Sequence, residues 1–169
     1  ALVAAVKGQP GTIAAYKQEA KKQNQPLAFA LSDITALASA KFGYSAEDVL
    51  NTCQALYETH KLTSYPRTDC AYLPESQHAD APRVLEAVKH VNPELAGLVD
   101  AADPRIKSKT WDDSKITAHH GIVPTMQKGS KAALSERERN IYDLIVRAYL
   151  AQFYPLHEYM QTTVGVEIA

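Results

Sequence analysis

Apolar residues recur at helical spacing along most of the chain and predict a mainly α fold. From Leu31 onward they occupy one helix face until a glycine stop at Gly43, with Ser32 as the expected N-cap. A second helix is expected after the capping box at residues 45–48 and runs to about His60. Two short helices joined by a glycine-containing turn are also typical of helix-turn-helix elements.

The second half of the chain predicts three further helices. Pro82 and Pro93 stand near the starts of two short ones, where proline is well tolerated. The longest helix is expected after the capping box at residues 135–138 and ends near Phe153. Its apolar residues at i, i+3 and i+4 predict one buried stripe.

Strand patterns are confined to the two ends of the chain. After a short apolar segment at residues 1–6, residues 12–16 predict a strand, while residues 17–25 are polar and indicate either a solvated connector or an edge strand. Residues 160–168 alternate apolar and polar side chains, which predicts a strand buried on one face. The expected architecture is a helical lobe with short β segments at both ends.

Composition narrows the class of protein without defining a function. The 169 residues contain 46% hydrophobic and 22% charged residues, which is typical of one globular domain. No segment is long enough to cross a membrane, and the two cysteines offer neither a disulfide framework nor zinc-ligand spacing, so a cytoplasmic setting is expected. The net charge of −1 requires any contact with nucleic acid to come from a local patch.

The segment at residues 62–70 concentrates side chains that can do chemistry. Pro66 restricts Tyr65 to extended backbone, and in an extended run Tyr65, Arg67 and Asp69 share one face. A guanidinium near a phenol favours the phenolate and can stabilise negative charge on a phosphoryl group. The alternative is that the tyrosine ring packs in the core while the arginine and aspartate form a surface ion pair.

A second polar segment contains paired histidines within an apolar frame. His119 and His120 lie in the sequence AHHGIVPT at residues 118–125. A histidine here can contact a phosphate, and a carboxylate such as that of Asp69 can fix its tautomer and orientation.

The most basic run covers residues 105–111 and contains the only tryptophan. Basic residues interleaved with an aromatic ring are typical of single-stranded nucleic-acid binding, because bases stack on rings and cations meet phosphates. A solvated loop with a buried tryptophan is the alternative. The candidate DNA-binding residues of this region are Arg105, Lys107, Lys109, Trp111 and Lys115.

Several motifs together resemble the type IA DNA topoisomerases, and the topoisomerase III branch in particular. They are SYPRTDC at residues 64–70, YLP at 72–74, AHHGIVPT at 118–125, QALYE at 54–58 and PLAFALS at 26–32. The resemblance implies an isomerase that cleaves single-stranded DNA, keeps the 5′-phosphate on a tyrosine, passes another strand through the gap and reseals.

Carried over position by position, the resemblance implies roles for individual residues. Tyr65 becomes the nucleophile, Arg67 the cation that stabilises the transition state, and His119 with Asp69 a supporting pair. The further residues that it places in or near the site are Thr68, His120, Gln54 and Glu58.

The resemblance also implies how this chain relates to a larger enzyme. Residues 1–26 and 156–169 correspond to pieces of a neighbouring β-rich arch, and residues 27–155 to the helical lobe, with winged-helix-like elements, that carries the tyrosine. The Mg²⁺ of the intact enzyme is bound by a separate Toprim domain, and this chain shows no Asp-x-Asp cluster, so no metal ligand is assigned to it. The chain is thus expected to be a fragment that relaxes no DNA alone and works with single-stranded DNA and the remaining domains.

Two other classes of protein fit the residues without the resemblance. One is a non-catalytic helix-turn-helix module that binds nucleic acid, and the other is a structural or interaction domain. A covalent phosphotyrosine separates the enzyme from both alternatives.

Overall fold

The computed structural model describes residues 2–168, and helices form most of the regular structure. The α-helices are α1 (Leu2–Val6), α2 (Leu31–Phe42), α3 (Ala46–Glu58), α4 (Ala81–Val91), α5 (Ala96–Ala101) and α6 (Glu136–Ala151). The strands are β1 (Gly11–Gln23) and β2 (His157–Ile168), and short 3₁₀ helices cover Glu75–Asp80, Pro93–Leu95, Asp113–Lys115 and Lys131–Ala133. The predicted mainly α class with β segments near both ends is confirmed.

The chain divides into two compact units. One unit runs from Gln25 to Pro155 and contains α2 to α6. The other combines the segment up to Asn24 with the segment from Leu156 onward.

In the terminal unit, β1 and β2 form a two-stranded antiparallel ribbon. Pairing runs from Gly11 opposite Ile168 to Gln23 opposite His157, with an irregularity between Ile13 and Ala15. The strand β1 therefore continues through the polar residues that also indicated a connector. The expectation that β2 is buried on one face is wrong for the described residues, since nearly all of its side chains are exposed.

The larger unit is built around the helix α6. Its predicted stripe is buried, together with residues of α3 and α4 that pack against it in one core. Phe153 is also buried, although the helix ends at Ala151 and Phe153 lies beyond it. The stripe residues are Ile141, Leu144, Ile145, Ala148 and Tyr149.

Local hydrogen bonds explain where the main helices begin. Both predicted capping boxes are present, at residues 45–48 and 135–138. The N-cap of α2 is Ala30 rather than the expected Ser32, because the Asp33 carboxylate accepts a hydrogen bond from the Ala30 N–H at 3.1 Å. Gly43 ends α2 with φ 71°, a left-handed conformation that favours glycine.

The consecutive helices α2 and α3 are present, but their use as a helix-turn-helix or winged helix stays a prediction. Among the helices of residues 2–168, none has the length and apolar character that crossing a membrane requires.

Candidate active site

Tyr65 follows a short segment that is bonded to the histidine loop, residues 118–125. After α3 the chain turns at Lys61, which has φ 59°, a left-handed conformation that is uncommon outside glycine. Thr63 then forms a single antiparallel bridge with Pro124. The strand expected before the tyrosine is therefore reduced to one bridge, which still places the two segments side by side.

Ser64 joins the tyrosine segment, residues 63–70, to the histidine loop through three hydrogen bonds. Its backbone N–H donates to the Val123 carbonyl at 2.9 Å. Its hydroxyl donates to the Gly121 carbonyl at 3.1 Å and accepts from the Val123 N–H at 3.0 Å. These bonds fix the backbone directly before Tyr65.

The ring of Tyr65 is half-buried and lies between two other rings. Its centroid is 4.9 Å from that of His119, with the planes tilted by 45°. On another side the Tyr57 ring lies edge-on, with centroids 5.6 Å apart. Tyr57 was not among the predicted site residues, although its place on α3 within the motif at residues 54–58 was a signal that could have found it. None of the hydrogen bonds within residues 2–168 uses the Tyr65 hydroxyl.

Arg67 stands at the tip of a tight turn beside the tyrosine. The Thr68 N–H donates to the Pro66 carbonyl at 2.9 Å, which closes a three-residue turn around Arg67. Pro66 and Thr68 are buried while Arg67 is exposed. The backbone of Thr68 accepts from the Leu31 N–H at 2.9 Å, so the turn is anchored to the start of α2. The guanidinium has no carboxylate or hydrogen-bond partner among the described residues.

No hydrogen bond joins Asp69 to His119. Both side chains are exposed, and neither takes part in any hydrogen bond within the part of the chain that the structure describes. The turn around Arg67 ends the extended run, so the regular alternation that was expected to put Tyr65, Arg67 and Asp69 on one face does not continue. The alternative of a surface ion pair between Arg67 and Asp69 is also not seen within residues 2–168.

The two histidines have different surroundings. His119 contacts Tyr65, whereas the His120 Nδ1 lies 2.8 Å from the Gly121 carbonyl. Because a carbonyl oxygen only accepts, the His120 Nδ1 carries the hydrogen of this bond. The structure therefore places His119, and not His120, beside the phenol.

Gln54 and Glu58 bond to each other on α3. The Gln54 Nε2 donates to the Glu58 Oε1 at 2.5 Å, one helical turn apart. The Gln54 Oε1 is buried without a partner among the described atoms. Both residues share a helix with Tyr57, which contacts the candidate nucleophile.

The basic run is largely neutralised within the protein. Arg105 makes two hydrogen bonds to the Asp103 carboxylate, at 2.9 and 2.8 Å. These bonds lower the pKa of Asp103 to about 2. Lys107 pairs with Glu75, and Lys109 is exposed.

Trp111 is buried, which is incompatible with the expected stacking on DNA bases in this conformation. Its indole is 5% exposed and packs against the rings of His78, Tyr149 and Phe153. Lys115 is exposed at the end of the short 3₁₀ helix that follows.

The described residues contain no group of three or more His, Cys, Asp or Glu side chains suited to a metal ion. The resemblance assigns the Mg²⁺ of the intact enzyme to a separate domain, and no metal ligand is assigned among residues 2–168.

Comparisons with known proteins agree with the motifs. A sequence model of the family described as DNA topoisomerase matches residues 1–169. A DNA topoisomerase 3 of Vibrio cholerae is 43% identical over 164 residues, which cover 97% of this chain and 25% of that protein. A DNA topoisomerase 3 of Salmonella typhimurium is 40% identical over 164 residues, with the same coverage of both chains.

A solved structure shares the fold of this chain. The structure of full-length topoisomerase I from Thermotoga maritima matches with a TM-score of 0.66 and 20% identity, covering 99% of this chain and 27% of that one. At this identity the match shows the fold alone.

The chain belongs to the DNA topoisomerase family, as the resemblance to the type IA enzymes predicted. It spans about a quarter of the length of the curated relatives that it matches.

Proposed function

We propose that this chain carries the nucleophile of a type IA DNA topoisomerase, with Tyr65 cleaving and rejoining single-stranded DNA. The observation that supports this most directly is the position of the Tyr65 ring between Tyr57 and His119. A tyrosine that attacks a phosphodiester needs a hydroxyl that no protein group already holds. Here the ring is half-buried and its hydroxyl makes no bond within the described residues.

The proposed reaction consists of two transesterifications. The Tyr65 phenolic oxygen attacks the phosphorus of a phosphodiester, and the bond from phosphorus to the 3′ oxygen breaks. The proton lost by the phenol ends on the departing 3′ hydroxyl, while the 5′-phosphate stays on the tyrosine. Attack by that hydroxyl on the phosphotyrosine then restores the DNA and the phenol.

Arg67 and His119 have separate roles in this proposal. The Arg67 guanidinium has no internal partner among the described residues, so it remains available to hold the phosphoryl oxygens as charge builds on them. His119 contacts the tyrosine ring directly and positions both the ring and the DNA backbone. Asp69 accepts no hydrogen bond from His119 in the described structure, so no part in fixing the His119 tautomer is assigned to it.

The remaining functions belong to the rest of the enzyme in this proposal. Mg²⁺ is bound by a Toprim domain, strand passage uses the β-rich arch, and the chain alone relaxes no supercoiled DNA. The chain covers only about a quarter of its relatives, which is why these activities are assigned to the whole enzyme.

The test is Tyr65→Phe in the full-length enzyme that contains this chain. The substitution keeps the ring and its contacts with Tyr57 and His119, and removes only the attacking oxygen. We expect no protein attached to the 5′ end of a cleaved, end-labelled oligonucleotide on a denaturing gel. Binding of single-stranded DNA and the melting temperature should change little.

Tyr72→Phe is the matched control, because Tyr72 is also half-buried and follows in the same segment. It should form the covalent adduct at the normal rate. A normal adduct yield from Tyr65→Phe would contradict the proposal and favour a module that binds DNA without cleaving it.

A further inference from the structure

Lys61 has a backbone conformation that lysine rarely adopts. Its φ is 59°, and among residues 2–168 it is the only residue other than glycine with a positive φ. In this left-handed region the Cβ atom crowds the following carbonyl oxygen, which glycine avoids because it has no side chain. Strained residues cluster at functional sites, so a strained residue is a reason to look for a function there.

The surrounding structure holds Lys61 in this conformation. The Thr125 hydroxyl, at the end of the histidine loop, donates to the Lys61 carbonyl at 2.6 Å. Directly before Lys61, the partly buried His60 Nε2 lies 3.0 Å from the carboxylate of Glu138 on α6. The turn is thus fixed to two other parts of the larger unit, and neither of these bonds uses the lysine side chain.

The Lys61 ammonium lies beside the rings of the candidate active site. Its Nζ is 5.9 Å from the centroid of the Tyr57 ring, within the range of a cation–π interaction. The same ring lies edge-on to Tyr65, with centroids 5.6 Å apart. Lys61 is exposed, and none of the ion pairs within residues 2–168 involves it. A positive charge without a carboxylate partner therefore stands next to the ring that contacts the candidate nucleophile.

The chemistry of this side chain favours a phosphate as its ligand. An ammonium is a compact point charge with three rotatable donors, so it binds an anion without fixing its orientation. It suits a phosphate that is held and not transformed. The planar fork of Arg67 suits instead the oxygens on which charge builds during the reaction.

We propose that Lys61 binds a phosphate of single-stranded DNA other than the scissile one, and that it contributes to affinity and not to the chemical step. This rests on the proposed function, which brings the strand to Tyr65. Glycine would fit the turn without strain, and the ammonium beside Tyr57 is what glycine would lack. The alternative is that the lysine stabilises the fold, through the Tyr57 ring and the partial negative charge at the end of α3.

The melting temperature of the full-length enzyme distinguishes these two explanations. Lys61→Gly removes the ammonium and relieves the left-handed strain. We expect this variant to melt at or above the wild-type temperature in scanning calorimetry, although it binds DNA less tightly. A lower melting temperature would show that the lysine stabilises the fold and would overturn the proposal.

Binding of single-stranded DNA tests the contact itself. Lys61→Asn removes the charge and introduces a residue that tolerates the left-handed region. Fluorescence anisotropy measures its affinity for labelled oligonucleotides at several salt concentrations, in full-length enzyme that also carries Tyr65→Phe, so that the attacking oxygen is absent. The affinity should fall a few-fold for every oligonucleotide sequence, and the plot of log affinity against log salt should become shallower by about 0.7. An unchanged slope would overturn the proposal.

Lys41 provides the matched control. It is exposed at the end of α2, and its Nζ lies 5.4 Å from the centroid of the Phe42 ring. Lys41→Asn therefore removes the same charge from the same kind of contact and should leave the salt slope unchanged. Lys61→Arg keeps the charge and should restore the affinity and the slope. Equal changes in the two asparagine variants would reduce the effect to net charge and overturn the proposal.

Adduct formation by the full-length enzyme separates binding from chemistry. Lys61→Asn should need a few-fold more oligonucleotide for the half-maximal rate, with the maximal rate kept within about twofold. A large loss of the maximal rate at normal affinity would assign Lys61 to the chemical step and overturn its role in binding. A normal adduct yield from Tyr65→Phe would instead refute the proposed nucleophile, and the salt slopes would still decide whether Lys61 binds a phosphate.

Discussion

Two polar segments of the larger unit carry residues that predict DNA contact, and they differ in what those residues already bind. In the tyrosine segment, residues 63–70, Arg67 is exposed and has no partner among the described side chains. In the basic run, residues 105–111, Arg105 and Lys107 each hold a carboxylate of the same protein.

The difference shows that residue type alone does not distinguish a candidate DNA-binding site from a charged surface. What distinguishes them is whether the basic side chains are already bound to carboxylates of the same protein. An arginine that is bonded to Asp103 must give up or share those bonds before it can hold a phosphate. Since the pKa of Asp103 is lowered to about 2, this carboxylate stays charged unless the pH falls to that level. Asp103 is therefore a charged partner for Arg105 at neutral pH, whereas Arg67 has no such partner in the described structure.

The largest expected difference between the two segments is in arginine substitutions. In the full-length enzyme, Arg67→Ala should slow adduct formation about 100- to 1000-fold, because one preorganised contact to the transition state is lost. Arg67→Lys should be milder yet still costly, since lysine keeps the charge and loses the planar fork. The measurement is the time course of the covalent adduct on denaturing gels.

Arg105→Ala is the control from the other segment. It should leave the rate of adduct formation within about fivefold, which is the scale of one exposed ion pair. Equal losses from the two arginines would refute the distinction between the segments.

His119→Ala should have the next largest effect. Removing the ring that contacts Tyr65 should slow adduct formation about 10- to 1000-fold while some adduct still forms, because the histidine positions and does not attack. His90→Ala, at an exposed histidine on α4, should show the normal rate. Complete loss of adduct in the His119 variant would assign this residue a more direct part in the chemistry.

Local sequence signals predicted the main helices well. Both capping boxes fix their helix starts with bonds between residues three apart, which a sequence shows directly. The cap of α2 was missed because Asp33 bonds the N–H of Ala30, which has no capping side chain. The length of β1 depends on pairing with β2 at the far end of the chain, and local polarity does not reveal such a partner.

The candidate site was predictable only in part. The motif order identified Tyr65 and the histidine loop, and the structure brings Tyr65 and His119 into contact. The shared face expected for Tyr65, Arg67 and Asp69 required an extended run, which the turn around Arg67 ends. The burial of Trp111 agrees with the alternative of a loop with a buried tryptophan. The composition of the basic run could not decide between the two alternatives, because the aromatic rings that cover Trp111 come from distant segments.

Ser64→Ala tests whether the bonds behind the tyrosine segment matter. The substitution leaves the Val123 N–H without its hydroxyl partner and should lower the free energy of unfolding by about 1–3 kcal/mol. Chemical denaturation of the chain measures this loss, and Ser64→Thr should recover most of it because it keeps the hydroxyl. An unchanged stability in Ser64→Ala would mean that the backbone bridge alone holds the segment.

The smallest expected effect comes from releasing a cation in the basic run. Glu75→Gln removes the charge that holds Lys107, so this lysine becomes free to contact a phosphate. Binding to single-stranded DNA should strengthen a few-fold, and the plot of log affinity against log salt should steepen by about 0.7 for one added contact. Fluorescence anisotropy with a labelled oligothymidylate at several salt concentrations measures both quantities.

Glu94→Gln is the matched control, because it releases Lys131 from a similar exposed pair outside the run. A steeper slope for Glu75→Gln alone would show that the run faces DNA and is held back by its own carboxylates. The same slope in both variants would remove residues 105–111 from the DNA-binding surface.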